Sequence, residues 1–311
     1  MDARLARDLA AAYTAHADRT GPRTLIGWSG AAVPGVDQQI IGTWMARNTW
    51  EGMGRADWLY ANPDFTGYVA AHPERAADVG VPLVPHDSGQ PLNDLLDEAA
   101  SGARDGVYVA LGASLARTGP ATVHARLWWE MNMRPAPADQ IDCGRFRAAW
   151  ARAVPIIRAG FTIAARPGQR LRIVFCPISD GADWAAFWPG DDVVDVVALD
   201  AYGSVWSATA PTPTALLATL NGYLGRLAAF GAAHGKPVAL AEWANCAPGT
   251  GTAATTRGLG DFPAYIDAVF DWAQTTRAAY LCYYNIPDGT GQTLAQTPKS
   301  LARLQSRAPA A

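Results

Sequence analysis

Eight short apolar runs, most of them followed by a stretch of helical character, recur along this 311-residue chain. The predicted strands cover 24–28, 43–47, 81–85, 123–129, 171–176, 193–199, 237–241 and 279–284. The clearest helices fall at 145–159, 214–234 and 263–276, where apolar residues return at helical spacing. Thr214 is the expected N-cap of the second helix and Gly235 its stop, and Asp139 could cap a turn after the proline-rich 135–137 loop. The segment 105–115 fits strand or helix; we read 107–117 as the helix before the fourth strand. Continuous apolar runs suit strands buried on both faces. Eight strand–helix repeats without a long linker specify an α/β fold, one closed (β/α)8 TIM barrel, rather than two domains. The expected organisation is a single domain over 1–311, with an N-terminal helical extension at 1–22. The 247–260 stretch, rich in Gly, Thr and Pro, reads as a long loop after strand 7, at the rim where barrel active sites form.

Composition narrows the function. Half of the residues are hydrophobic and 17% are charged, enough for a large core. The net charge of −3 gives no electrostatic case for nucleic acid or an anionic membrane. No apolar stretch approaches the roughly 18 residues of a spanning helix. The twelve tryptophans are the unusual part of the composition: some must be core, but indole rings among few charges also suit stacking on the apolar faces of sugars. The cysteines, Cys143, Cys176, Cys246 and Cys282, form no CxxC pair, and the histidines show no HExxH or HxH spacing. No metal and no cofactor is therefore expected. Cys176 and Cys282 read as buried thiols. Cys246 and Cys282 fall near the ends of strands 7 and 8, so a disulfide between them stays open. The N-terminal 20 residues read as an amphipathic helix without the apolar core of a signal peptide. That fits export after removal of a leader, retention in the cell, or carriage by a phage. Oligomeric state has no signal in the sequence.

Two apolar runs end on a glutamate: Leu127-Trp128-Trp129-Glu130-Met131-Asn132 and Val238-Ala239-Leu240-Ala241-Glu242-Trp243. A carboxylate where a buried strand stops is costly unless it faces a solvated cleft. In a barrel both would lie on the C-terminal face, where active sites are built. Two carboxylates, one protonated and one ionised, are what retaining glycoside hydrolysis requires. Like charges about 5–5.5 Å apart raise one pKa and so separate the roles.

These segments resemble glycoside hydrolase family 26, a β-mannanase-like family of the clan A (β/α)8 barrels. Trp129-Glu130-Met131-Asn132 is similar to its His-Glu-Met-Asn motif. The 195–203 segment, which ends Leu199-Asp200-Ala201-Tyr202-Gly203, is similar to its strand 6 signature. Phe175-Cys176-Pro177 and Lys236-Pro237 resemble clan features at strands 5 and 7. The likeness covers about 23–288. It implies Glu130 as general acid/base, Glu242 as nucleophile and Tyr202 as the tyrosine hydrogen-bonded to that nucleophile. The family's histidine before the acid/base is Trp129 here, so β-mannanase activity does not carry over with the fold.

Further binding candidates sit at the same strand ends. Asn132 is placed to reach a sugar hydroxyl or the carboxyl, or to cap the following turn. Arg47 could orient the nucleophile, or pair with Glu51 or Asp57. Trp28, Trp206 and Trp243 are stacking candidates that also suit a core. Tyr284 is preferred to Tyr283 as the aromatic floor, since strand alternation lets only one face the cleft; Asn285 follows. His86 and Asp87 end strand 3 and could bind hydroxyls. Asp200 and Asp180 are strand-end acids, and Asp200 is the main competitor as a catalytic carboxylate. Asp288 reads as a turn residue. The expected activity is a retaining glycoside hydrolase on a β-linked polysaccharide or oligosaccharide, with carbohydrate as the partner. The alternatives are a glycosidase of bacterial wall or capsular glycans, including arabinofuranosyl polymers, and a non-catalytic carbohydrate-binding barrel. A metal-dependent hydrolase is disfavoured by the missing histidine pairs.

Overall fold

The computed structural model describes residues 24–133, 140–181, 183–207, 209–248, 255–287 and 292–310; of Trp206, Thr255 and Thr256 it describes the backbone. The expected N-terminal extension, the 135–137 loop, Asp139 and Asp288 lie outside these residues. The strands are β1 (Leu25–Gly30), β2 (Ile40–Trp44), β3 (Ala76–Val81), β4 (Thr122–Leu127), β5 (Arg170–Phe175), β6 (Val196–Asp200), β7 (Ser204–Ser207), β8 (Val238–Trp243), β9 (Thr255–Gly258) and β10 (Tyr280–Asn285). Eight of them close into a barrel in the order β1-β10-β8-β6-β5-β4-β3-β2. β7 and β9 form a separate antiparallel pair. The (β/α)8 expectation is met. Contacts concentrate in two compact parts, Ile41–Val196 on the one hand and Val197–Ala311 with the residues up to Ile40 on the other.

In the part Ile41–Val196, β3, β4 and β5 run parallel and in register. One face carries Asp78, His124 and Arg172 in one row and Gly80, Arg126 and Val174 in the next. The other face carries Val79, Val81, Val123, Ala125, Leu127, Ile173 and Phe175, all buried. That division is strand alternation applied to a barrel whose outer face meets helices. The helix Cys143–Ala164, capped by Asp142, lies close against the helix Asp105–Arg117. Gly112 and Gly160 allow the approach: a Cβ on either would meet a backbone oxygen, Ile157 O at 2.1 Å or Val109 O at 2.2 Å.

In the other part, β10 pairs with β1 on one side and β8 on the other. The helix Pro213–Ala233 is capped by Thr212 rather than Thr214, because Pro213 takes the first helical position. The helix Pro263–Thr276 covers the outer face of β8 through Tyr265 and Phe270, which pack on Trp243.

Several boundaries differ from expectation. β3 lies five residues before the predicted 81–85, since Pro82 lacks the N–H a central strand needs and stops the ladder at Val81. β2 ends at Trp44, so Arg47 lies in the following loop. β4 ends at Leu127 rather than 129. The 105–117 ambiguity resolves as helix. β7 and β9 have no apolar run to announce them, and β9 falls inside the 247–260 stretch read as loop. All four cysteines are free thiols, so Cys246 and Cys282 are unbridged.

Candidate active site

Glu242 owes its orientation to a bulge. Leu240 pairs with Leu199 of β6 and Leu281 of β10, yet Asp200 pairs with Glu242 and Tyr283 with Trp243. One extra residue in β8 thus lies between Leu240 and Trp243 relative to both neighbours. In an uninterrupted strand Leu240 and Glu242 would share a face. The bulge moves Trp243 to the face of Leu240, against the helix, and turns Glu242 to the face of Asp200 and Tyr284. Glu242 is 5% exposed, and its Oε2 accepts a 2.8 Å hydrogen bond from the Tyr202 hydroxyl. Tyr202 in turn meets Tyr284 edge-on, with ring centroids 5.8 Å apart. Asp200 is fully buried beside Glu242 in the register.

Glu130 stands in the turn after β4. Trp128 and Glu130 both have left-handed backbone, with φ of 49° and 56°. Such conformations cost roughly 1–3 kcal/mol each in non-glycine residues and persist only where the surroundings enforce them. Here the Trp128 N–H donates to Val81 O at 2.6 Å and the Glu130 N–H to Cys176 O at 2.7 Å. Asn132 then clamps Ile178 through both ends of its amide, accepting from its N–H at 2.8 Å and donating to its carbonyl at 2.9 Å. The turn is tied to β3 on one side and to the end of β5 on the other.

Around this turn the side chains interlock. The His86 ring stacks on Trp128 at 5.0 Å and meets Trp129 edge-on at 6.0 Å. Burial, reinforced by the Arg47 charge, lowers the His86 pKa to about 4. Its Nδ1 lies 3.2 Å from Val84 O, which can only accept, so Nδ1 carries the proton and Nε2 remains an acceptor. Arg47 lies over the Trp129 ring at 5.3 Å and pairs with Asp87 at 2.8 Å.

The predicted residues therefore separate. Asp200, Glu242 and Tyr284 share one face of the adjoining strands β6, β8 and β10, and Tyr202 just beyond β6 reaches Glu242. Tyr283 instead points the other way, fully buried, its hydroxyl donating to Gln292 O. Trp243 is 1% exposed within an aromatic cluster of Tyr265, Phe270 and Tyr283, which makes it core and not a stacking surface. Trp28 shares the register row of Tyr283 and is likewise buried on the helix side. Asn285 spends its amide on Ala31 O and the Leu294 N–H, and Asn132 on Ile178; both staple loops rather than greet a ligand. Arg47 pairs with neither Glu51 nor Asp57, which are both held by Arg55. The Trp206 side chain lies outside the described residues, although its backbone belongs to β7.

Sequence reasoning missed Asp78 and Arg126. Both are completely buried and approach to 2.9 Å, and Arg126 lies over the rings of Trp44 and Trp129 at 5.8 and 5.9 Å. The available signal was an acid and a base each isolated in an apolar run, Ala76-Ala77-Asp78-Val79 and Ala125-Arg126-Leu127. Gly80 makes room for the two indoles: its Cβ would fall 2.5 Å from Trp44 and 3.0 Å from Trp129.

No family model and no curated protein sequence matches the chain. Solved structures do match over nearly all of it. A GH26C protein from a Muricauda species superposes with a TM-score of 0.66 at 12% identity, covering 97% of this chain and 87% of that one. The catalytic domain of a GH26 endo-β-1,4-mannanase from a Bacillus species gives 0.58 at 15% identity, covering 97% and 89%. A GH26 β-mannanase from Bacteroides ovatus gives 0.57 at 14%, covering 97% and 91%. At such identities the likeness establishes the shared barrel fold.

Proposed function

We propose that this protein is a retaining glycoside hydrolase acting on a β-linked polysaccharide or oligosaccharide. Glu242 is the nucleophile and Glu130 the general acid/base. The observation that carries this reading is the Tyr202–Glu242 hydrogen bond, on a carboxylate turned to the polar face by a strand bulge. A carboxylate that accepts a hydrogen bond from a phenol hydroxyl has one oxygen fixed in direction, as an aimed attacking group must have. The fold shared with GH26 proteins supports the same assignment by analogy.

In the first step a Glu242 oxygen forms a bond to the anomeric carbon while the glycosidic bond breaks. Glu130 gives its proton to the departing oxygen. In the second, Glu130 takes a proton from water, the resulting hydroxide oxygen bonds to the anomeric carbon, and Glu242 leaves as a carboxylate. Asp200 and Tyr284 line the site on the Glu242 side, with Tyr202 fixing the nucleophile. The indole at Trp129, where the resembled family has histidine, leaves the sugar open between mannan and other glycans, wall arabinans included.

A second reading is a metal-dependent hydrolase, in which Asp200 and Glu242, register partners on β6 and β8, would offer oxygen donors to a hard divalent cation. One experiment separates the two. Sugar release is measured on β-mannans, xylans, mixed-linkage glucans and wall arabinans, for the parental protein and Glu242→Gln, with and without chelator. Cleavage of one polymer that survives chelation and is lost in Glu242→Gln supports the glycosidase. Loss on chelation, restored by added Mg²⁺ or Ca²⁺, supports the cation. No cleavage, with binding retained, makes the barrel a carbohydrate-binding protein.

A further inference from the structure

The loops after β2, β3 and β4 meet beside Glu130 and carry polar groups that the reaction above does not use. Arg47 and Asp87 are joined twice, by the side-chain pair at 2.8 Å and by the Asp87 N–H donating to Arg47 O at 3.0 Å. Their side chains are 40% and 42% exposed, so the pair reaches solvent. The guanidinium also lies over the ring of Trp129, the residue before Glu130, with Cζ 5.3 Å from the ring centroid. His86 adds an acceptor at Nε2 and, with its pKa lowered to about 4, no charge. The corner thus offers donors from Arg47, acceptors from Asp87 and His86, and a net charge of zero above that pH.

We propose that the Arg47–Asp87 pair, with His86 and the flank of Trp129, binds the hydroxyls of an uncharged sugar unit. It thereby selects glycans without a carboxylate or sulfate at that position. Adjacent donors and acceptors match the two-way hydrogen bonding of vicinal hydroxyls. An anionic substituent would instead have to displace Asp87 from Arg47 and would meet that carboxylate as a like charge. The inference rests on the glycosidase reading for its ligand, since it concerns the same site.

The test is titration calorimetry on Glu130→Gln, which binds without cleaving, using β-1,4-mannohexaose, xylohexaose, arabinohexaose and an oligogalacturonate of equal length. Asp87→Asn and Arg47→Gln are added to that background, with circular dichroism to confirm the fold. The expected result is a neutral hexaose bound at least ten-fold more tightly than the uronate. Each added substitution weakens it by about ten-fold or more, in line with loss of a hydrogen bond to a charged group. Asp87→Asn, which keeps the shape and removes the charge, narrows the gap between neutral and acidic ligands. Tighter binding of the uronate, or neutral binding untouched by both substitutions, overturns the inference and leaves the glycosidase intact. Binding of none of the four overturns the inference, while sugar release from the polymer panel, mixed-linkage glucan included, decides the glycosidase reading separately.

Discussion

The hydroxyl of Tyr202, two residues beyond β6, donates a 2.8 Å hydrogen bond to Oε2 of Glu242 in the adjacent strand β8. The Tyr202 ring is itself braced by the edge of Tyr284. A carboxylate held in this way has one oxygen fixed in direction by the phenol. Tyr202→Phe keeps the ring and removes the donor, so it isolates that hydrogen bond from packing. The expected loss in kcat is about 10- to 100-fold, the equivalent of a hydrogen bond to a charged group. The melting temperature should be nearly unchanged. Steady-state kinetics on the substrate found by the polymer panel, beside a thermal melt, makes the comparison; a wild-type kcat in Tyr202→Phe would remove the argument for Glu242.

The two carboxylates predict distinct chemical phenotypes. Glu130→Ala should still react with an aryl glycoside whose leaving group needs no proton, and azide should restore turnover by attacking the glycosyl-enzyme. Glu242→Ala should do neither in the same sense: azide attacking in its place gives product of inverted anomeric configuration. NMR of the first-formed anomer from the parental enzyme should show retention. A crystal structure should place the two carboxyl carbons about 5–5.5 Å apart, whereas about 6.5–9.5 Å would indicate inversion.

Trp243 adjoins Glu242 in sequence yet belongs to the core. Trp243→Ala should cost about 3–5 kcal/mol of stability, as for other buried tryptophans. Urea or guanidinium denaturation measures this. A stable variant with only a raised KM would instead restore Trp243 as a sugar platform.

Two histidines make stability fall on the acid side. His86 titrates at about 4, and His124, desolvated on the inner face of β4, at about 3, both below the 6.5 of an unconstrained imidazole. As pH drops through 6.5, the unfolded chain takes up protons that the folded chain refuses, and the folded state loses ground. The loss continues down to about pH 4 for His86 and about pH 3 for His124, then levels off. Denaturation midpoints between pH 7 and 4 should therefore decline, and the decline should be shallower in His86→Gln. An equal slope in both proteins would mean that His86 is protonated in the fold.

Much of this was legible in the chain because burial leaves a local mark. Eight apolar runs spaced by helical patterns suffice for a (β/α)8 barrel, and a glutamate at the end of such a run stands out because nothing else explains its desolvation. Strand alternation required that only one of Tyr283 and Tyr284 share the face of the strand-end acids, without saying which. Other features have no local mark. The bulge that turns Glu242 away from Trp243 exists only in the register of β8 against β6 and β10. The same hydrogen-bond accounting that sends Asn132 to Ile178 and Asn285 to Ala31 depends on loops far away in sequence. Asp78 and Arg126 are 48 positions apart in numbering, and each alone looks like an error in a strand; only their 2.9 Å approach makes both tolerable. The sequence by itself therefore determined the barrel and the identity of its strand-end acids, since periodicity and desolvation act residue by residue. Which side chains face the cleft, and which of them keep free hydrogen-bonding capacity, was decided by tertiary structure, because strand register and polar pairing are relations between distant segments.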